Sequence, residues 1–152
     1  MMDPRVETFA ATFARATGSD PPTEAFAFGD SPKMADELSA LVASGHKRAT
    51  AALHADHTHH GDPLPEPGDT AFVLDGAGEP VCVIRTTEVT VAPFGTVDDA
   101  FAWDEGEGDR SLNYWIAAHE RFFRGRCEAL GITFTPDLDV IFERFELVWP
   151  SA

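Results

Sequence analysis

The sequence predicts an α+β fold in which helices cover a curled sheet or small barrel. Three observations support this class. Segments with helical spacing open the chain, segments rich in β-branched residues fill its middle and its end, and one further helix lies between them. No internal repeat or linker interrupts the 152 residues, a length that suits one domain.

Two helices are predicted before residue 46. The first is amphipathic and ends at Gly18, so we treat residues 1–22 as a helical extension and residues 23–152 as a single domain. Ser31 is a suitable N-cap for the second helix, which is expected to stop at Gly45.

The middle of the chain predicts strands around a loop. Residues 23–28 read as a short strand or an extended approach, and residues 48–53 as the start of a strand. Residues 54–69 contain four His, three Pro and two Gly, and we predict a loop there. Residues 70–74 and 81–91 then form a β-hairpin about a Gly-containing turn.

The last third predicts two helices and a closing strand. Residues 97–103 suit a short helix, and a stronger helix starts after Ser111 and carries Trp115 on its apolar face. Residues 138–148 alternate as a strand whose phase slips near Glu143, which predicts a β-bulge.

The net charge excludes one class of partner. Lys and Arg number 11 against 26 Asp and Glu, a formal charge of −15, and a surface this negative repels long polyanions. Six of the acids fall within residues 98–109. We therefore expect no double-stranded DNA partner, whereas the charge leaves room for a small basic pocket that takes one nucleotide or nucleoside.

Cysteine usage and the N-terminus indicate a cytoplasmic protein. Cys82 and Cys127 lie in apolar surroundings, as buried free thiols do in a reducing compartment. Residues 1–20 lack a signal-peptide pattern, so no membrane partner is expected. The sequence leaves the oligomeric state open.

Three segments carry candidate chemistry. The histidines of residues 54–60 suggest a metal, but a mobile loop is a poor ligand frame, so we assign no metal and no cofactor. Lys47 and Thr50 can share a pocket as base and hydroxyl nucleophile, or form a solvated helix end. Residues 105–111 can supply an acid or base, an anion site or Mg²⁺ ligands, or simply an acidic lead-in to a helix. We interpret His119 as a packing residue.

Motifs from these segments occur in a recognisable order. The first motif is Ala-Asp-Glu-Leu at residues 35–38, followed by Gly-x-Lys-x-Ala-Thr at residues 45–50. The second is Pro-Gly-Asp at residues 67–69, which leads into the segment 81–89. The third is Glu-Gly-Glu-Gly-Asp-Arg-Ser-Leu at residues 105–112, followed by Trp115 and His119. Together they resemble the ASCH family, whose members share a PUA-like β-barrel, over residues 26–149.

The resemblance implies a pocket for RNA or its nucleosides. One characterised relative removes acyl groups from N4-acylated cytidine with a lysine, a threonine and a glutamate, which fall here on Lys47, Thr50 and Glu105, with Glu107 as the alternative carboxylate. Thr50 would attack the amide carbonyl, Lys47 would take its proton, and Glu105 would orient the lysine or assist the leaving amine. The oxyanion would be stabilised by Arg48, Arg85 or the amides near Ser111.

Two other functions remain open at this point. In a non-catalytic RNA-binding or nucleotide-binding module, basic side chains would hold phosphate and a tryptophan would stack on a base. The candidates are Lys47, Arg48, Arg85 and Arg110 for phosphate, and Trp103 or Trp115 for stacking. A single-strand ribonuclease, as reported for another family member, would instead use the acidic loop to hold a metal ion.

Overall fold

A computed structural model describes residues 2–151 and confirms the α+β class. Its five strands form one mixed, curled sheet in the order β1-β3-β4-β5-β2. The helices are α1 (Pro4–Thr17), α2 (Pro32–Ala43), α3 (His54–His60), α4 (Asp99–Glu105) and α5 (Leu112–Leu130). The strands are β1 (Ala25–Ala27), β2 (Ala49–Leu53), β3 (Thr70–Leu74), β4 (Pro80–Pro93) and β5 (Asp139–Trp149).

Helices α2 and α5 each begin at a serine whose side chain caps the helix. The Ser31 hydroxyl accepts a hydrogen bond from the Met34 amide at 3.1 Å, and Ser111 does the same for Tyr114 at 3.0 Å. Each cap satisfies an amide that the helix itself leaves unpaired. Both predicted helix starts are confirmed.

The chain divides into two compact units. Unit one comprises the residues up to Lys47, Gly68–Thr86 and the residues from Phe145 onward. It contains β3 together with the part of β4 that pairs with it in the predicted hairpin, and the parallel pairing of β1 with β3. Cys82 lies in its core as a free thiol, and burial raises the pKa of that thiol to about 12.

Unit two comprises Arg48–Pro67 and Thr87–Arg144. Its β2 pairs antiparallel with β5, in register from Ala49 opposite Arg144 to Leu53 opposite Val140. Helices α4 and α5 contribute to one apolar cluster with these strands, built on Ala49, Leu53, Phe94, Phe101, Trp115, Phe123 and Phe142. This cluster provides the rigid support for the candidate site.

The predicted loop over residues 54–69 is wrong in its first half. Residues His54–His60 form helix α3, which ends at Gly61 in a left-handed conformation at φ 69°. All three prolines of the segment lie beyond Gly61, so none of them interrupts the helix. Arg126 of α5 also holds α3 through Asp56, at 2.7 Å.

The bulge predicted near Glu143 is also absent from the β2–β5 pairing, which keeps one register through Arg144. The phase of the apolar pattern changes for another reason. Phe142 belongs to the core of unit two, whereas Phe145 belongs to a cluster in unit one. Strand β5 therefore contributes side chains to a different apolar cluster on each side of Glu143.

Within residues 2–151, no helix combines the length and the apolar character needed to cross a membrane.

Candidate active site

Glu105 is the most deeply buried acidic side chain of unit two. It is the last residue of α4 and only 1% exposed, and the chain turns away behind it at Gly106, where φ is 73°. Its Oε1 atom lies 3.3 Å from the Trp115 Nε1 donor and 3.1 Å from Nε2 of His119. A carboxylate in this setting is held in one orientation and is shielded from water.

Helix α5 presents both of these partners on one face. Trp115 and His119 are four residues apart, and their rings stack with centroids 4.0 Å apart at an angle of 13°. Nδ1 of His119 lies 2.9 Å from the Trp115 carbonyl oxygen. The backbone of the helix and the indole ring together fix the imidazole.

Glu107 lies close to the same pair. One ligand atom each from Glu105, Glu107 and His119 fall within 4.8 Å of one another. Two carboxylates and an imidazole are a donor set that divalent metal ions accept. Glu105 and Glu107 belong to the segment 105–111, for which the sequence analysis names Mg²⁺ ligands as one alternative, and none of the histidines at residues 54–60 is part of the group.

Asp104 fixes the end of α4 and so positions its neighbour Glu105. Its carboxylate accepts from Arg48 at 3.0 Å and from Arg144 at 3.0 Å, and its carbonyl accepts from the Arg48 amide at 2.7 Å. Arg144 reaches in addition to Glu88 at 2.9 Å. Arg48 therefore has a structural task in addition to the substrate contact predicted for it.

The loop after α4 is closed by Arg110. This residue has a φ of 65°, in the left-handed region that residues other than glycine seldom adopt. Its amide donates to the Glu107 carbonyl at 3.0 Å, its Nε donates to the Trp103 carbonyl at 2.9 Å, and its guanidinium lies 3.8 Å from the Trp103 ring centroid. These contacts hold the strained backbone and place Arg110 on Trp103.

The hydroxyl and the backbone amide of Ser111 both form hydrogen bonds. Its hydroxyl caps α5, and its amide donates to Asp109 Oδ1 at 2.9 Å. Hydrogen bonds from the Ser111 hydroxyl and amide lower the pKa of Asp109. The anion predicted at this helix end is thus supplied by the chain itself, in the form of Asp109.

Thr50 lies in the middle of β2, half-buried, directly opposite Glu143 on β5. Side chains opposite each other in an antiparallel pair share a face, with Cβ atoms about 4.5–5.5 Å apart. The sequence analysis assigns Glu143 no chemical role. The register now makes it a carboxylate neighbour of the proposed nucleophile.

Lys47 and Arg85 belong to unit one. Lys47 follows the turn after α2, where its amide donates to the Leu41 carbonyl at 3.1 Å. Its side chain is 1% exposed, and Nζ lies 5.4 Å from the Phe28 ring centroid. Arg85 is exposed and pairs with Glu146 at 2.7 Å. The lysine is a buried amine, whereas the arginine forms a surface ion pair.

A family model, described as the ASCH domain, matches residues 24–149. The chain belongs to the ASCH domain family. The match confirms the resemblance inferred from the motifs, and it starts after α1, the predicted extension.

Two solved structures agree with this assignment. An ASCH domain from Lactobacillus crispatus JV V101 is 30% identical, with 96% of this chain and 95% of that one covered and a TM-score of 0.89. A protein from Enterococcus faecalis V583 is 34% identical, with 97% and 90% covered and a TM-score of 0.86. A hypothetical protein at 15% identity and a TM-score of 0.51 shares the fold alone. No curated protein matches the chain.

The structure of this ASCH domain adds roles that sequence reasoning missed. His119 packs on Trp115 as expected, but it also meets the Glu105 carboxylate. Trp115 is 2% exposed, so it offers no open ring face for a base and serves instead as a donor to Glu105. The spacing of Trp115 and His119 by four residues was the one available signal for this arrangement.

Proposed function

We propose that this ASCH domain hydrolyses the amide bond of an N4-acylated cytidine nucleoside. The observation that supports it most is Glu105, a carboxylate at the position of the family motif that is 1% exposed and held by an indole donor and an imidazole. An acid kept for solubility lies in water, whereas an acid used in catalysis is oriented and partly desolvated.

The proposed reaction assigns one task to each residue. The Thr50 hydroxyl attacks the acyl carbonyl, Lys47 accepts its proton, and Glu105 delivers a proton to the departing N4 amine of cytidine. Water then attacks the acyl-threonine. One water proton returns to Glu105, and Lys47 returns its proton to the Thr50 oxygen as the carboxylic acid leaves.

The assignment of Lys47 draws on its motif position, three residues before Thr50, and on its burial within unit one. A hydroxyl nucleophile needs an adjacent base, and a buried amine is one of the groups that enzymes use for this purpose. Thr50 is half-buried on β2, and Glu105 is buried at the end of α4.

The surface arginines favour a small neutral substrate over RNA. Among residues 2–151, Arg48, Arg85, Arg126 and Arg144 each form an ion pair with an aspartate or glutamate of the chain. Paired guanidinium groups release few counterions from a polyanion, so they add little phosphate affinity. A nucleoside carries no phosphate and avoids repulsion by the net charge of −15.

The test is deacylation of N4-acetylcytidine, followed as cytidine release by chromatography. The unmodified chain should release cytidine, and Thr50→Ala should lower the rate by at least about 100-fold. Thr50→Ser keeps a hydroxyl at the same position and is the matched control, which should retain measurable turnover. Full activity in Thr50→Ala, or no turnover above buffer in the unmodified chain, contradicts the proposal.

A further inference from the structure

We propose that Glu105, Glu107 and His119 bind a divalent transition-metal ion, and that the bound ion inhibits deacylation by engaging Glu105. The binding claim concerns the protein alone, whereas the inhibition rests on the proposed function. The two claims can therefore fail separately.

The distance between two of the donor atoms fits a metal ion. Nε2 of His119 lies 3.1 Å from Oε1 of Glu105. Zn²⁺ binds imidazole nitrogen and carboxylate oxygen at about 2.0–2.2 Å, which places two neighbouring ligand atoms about 2.9–3.5 Å apart in octahedral or tetrahedral coordination. These two side chains can therefore bind one ion with little movement of either.

Glu107 supplies the third ligand. One ligand atom each of Glu105, Glu107 and His119 fall within 4.8 Å of one another, so the Glu107 carboxylate needs to approach by no more than about 2 Å. Its backbone lies between Gly106 and Gly108, whose φ angles are 73° and 58°. Its side chain is half-buried, which gives an ion a route from solvent to the two more buried ligands.

The orientation of His119 is a second, independent feature of a metal site. Nδ1 lies 2.9 Å from the Trp115 carbonyl oxygen, an atom that only accepts hydrogen bonds, so Nε2 is the ring nitrogen available to a metal. Histidines that bind metal almost always donate their other ring N–H to a carbonyl or a carboxylate, which fixes the ring. The stack on the Trp115 ring, with centroids 4.0 Å apart, holds the same orientation.

Glu105 is also oriented before any ion arrives. It is 1% exposed, and its Oε1 atom accepts from Trp115 Nε1 at 3.3 Å. Ligating carboxylates are in turn hydrogen-bonded by neighbouring groups, which reduces the movement that metal binding requires. One helix, α5, thus supplies a ligand and the group that orients the next ligand.

The charge of this part of the chain favours a cation, and the imidazole selects among cations. Six acids lie within residues 98–109 of a chain with a net charge of −15, which raises the local concentration of positive ions. Mg²⁺ prefers oxygen ligands, whereas an imidazole nitrogen suits transition metals, and Zn²⁺ binds such donors more tightly than Mn²⁺ does. Zn²⁺ is therefore the ion to test first.

A bound ion removes Glu105 from the proposed reaction. In that reaction Glu105 delivers a proton to the departing N4 amine of cytidine and later takes one from water. A ligating carboxylate must be deprotonated, so Glu105 holds no proton for the amine while Zn²⁺ is bound. Removing the ion with a chelator should restore the rate.

The binding test is calorimetric titration of the untagged full chain with Zn²⁺, after chelator treatment and dialysis. We expect one tight site per chain, with Mg²⁺ bound at least about 10-fold more weakly. Glu107→Gln and His119→Gln each remove a ligand and should weaken Zn²⁺ binding by at least about 100-fold. His59→Gln is the matched control, because His59 is exposed and lies outside the three-residue group, and it should keep the tight site.

Three results would overturn the binding claim. They are no tight site in the unmodified chain, a tight site that survives in both ligand variants, and loss of the site in His59→Gln. The last two would locate the ion elsewhere in the chain. Circular dichroism checks that each variant is folded, and Glu107→Gln, at a half-buried loop position, keeps the test decisive if His119→Gln does not fold.

The inhibition test follows cytidine release from N4-acetylcytidine at rising Zn²⁺. Saturating Zn²⁺ should lower the rate by at least about 100-fold, the usual contribution of an acid or base in catalysis, with half-inhibition at the calorimetric Kd. In Glu107→Gln, compared with its own rate without Zn²⁺, half-inhibition should need at least about 100-fold more Zn²⁺. A rate that is unchanged or raised while Zn²⁺ is bound overturns the inhibition. If the unmodified chain does not deacylate the nucleoside but binds Zn²⁺ through these residues, the proposed function fails and the binding claim stands.

Discussion

Helix α5 holds two carboxylates of unit two in opposite ways. Near its start, Trp115 and His119 contact the buried Glu105 at 3.3 and 3.1 Å, and both meet the same oxygen. Near its end, Arg126 donates hydrogen bonds of 2.7 to 3.2 Å to both carboxylate oxygens of Asp56, and these two side chains are partly exposed to water.

The difference lies in what each carboxylate can still do. A guanidinium that hydrogen-bonds both oxygens compensates the charge of Asp56, and Asp56 in turn raises the pKa of Arg126 through hydrogen bonds. An indole contributes no charge, and an imidazole can gain or lose its proton. The Asp56 contact is therefore suited to joining α3 to α5, whereas the proposed function assigns proton transfer to Glu105.

The largest expected effect on the deacylation rate comes from removing the charge of Glu105, compared with the same change at Asp56. Glu105→Gln should lower deacylation of N4-acetylcytidine by about 10²–10⁴-fold, because an amide cannot act as acid or base. Asp56→Asn is the matched change on the same helix partner and should leave kcat unchanged. Equal losses in both variants would mean that the buried position of Glu105 confers no special chemistry.

A smaller effect is expected from the indole donor. Trp115→Phe keeps an aromatic ring for the stack with His119 but removes the Nε1 hydrogen bond to Glu105. Weakening the donor set of a buried acceptor costs about 1–3 kcal/mol of unfolding free energy. Denaturant unfolding measures this loss, and Trp103→Phe, at a residue that is 54% exposed, is the control. Equal stability of both variants would contradict a structural role for the indole donor.

The same contrast explains which parts were predictable from sequence. Local patterns predicted α2, α5 and the β3–β4 hairpin, because Ser31, Ser111 and the turn glycines act on their immediate neighbours. Helix α3 was missed because its histidines were grouped with prolines that begin only after Gly61.

The site was predictable only in part, for a physical reason. The motif identified Glu105, but spacing alone made His119 a packing residue, because burial and the distance to a carboxylate are tertiary properties. The Asp104 contacts join residues 40 and 56 positions apart, and no local pattern encodes them. Motif order thus located the candidate residues, while long-range packing determined how each is held.

The smallest expected effect is the energy of the Asp56–Arg126 pair itself. Its geometry is bidentate, but the two side chains are 21% and 36% exposed, so solvent and salt screen the attraction. A double-mutant cycle of Asp56→Asn and Arg126→Met should give a coupling of about 0.2–1 kcal/mol, falling as salt is added. A coupling well above that range and insensitive to salt would mean that Asp56, like Glu105, is held in surroundings shielded from solvent. A small coupling that falls with added salt means instead that the Asp56–Arg126 pair is a solvent-screened contact between α3 and α5.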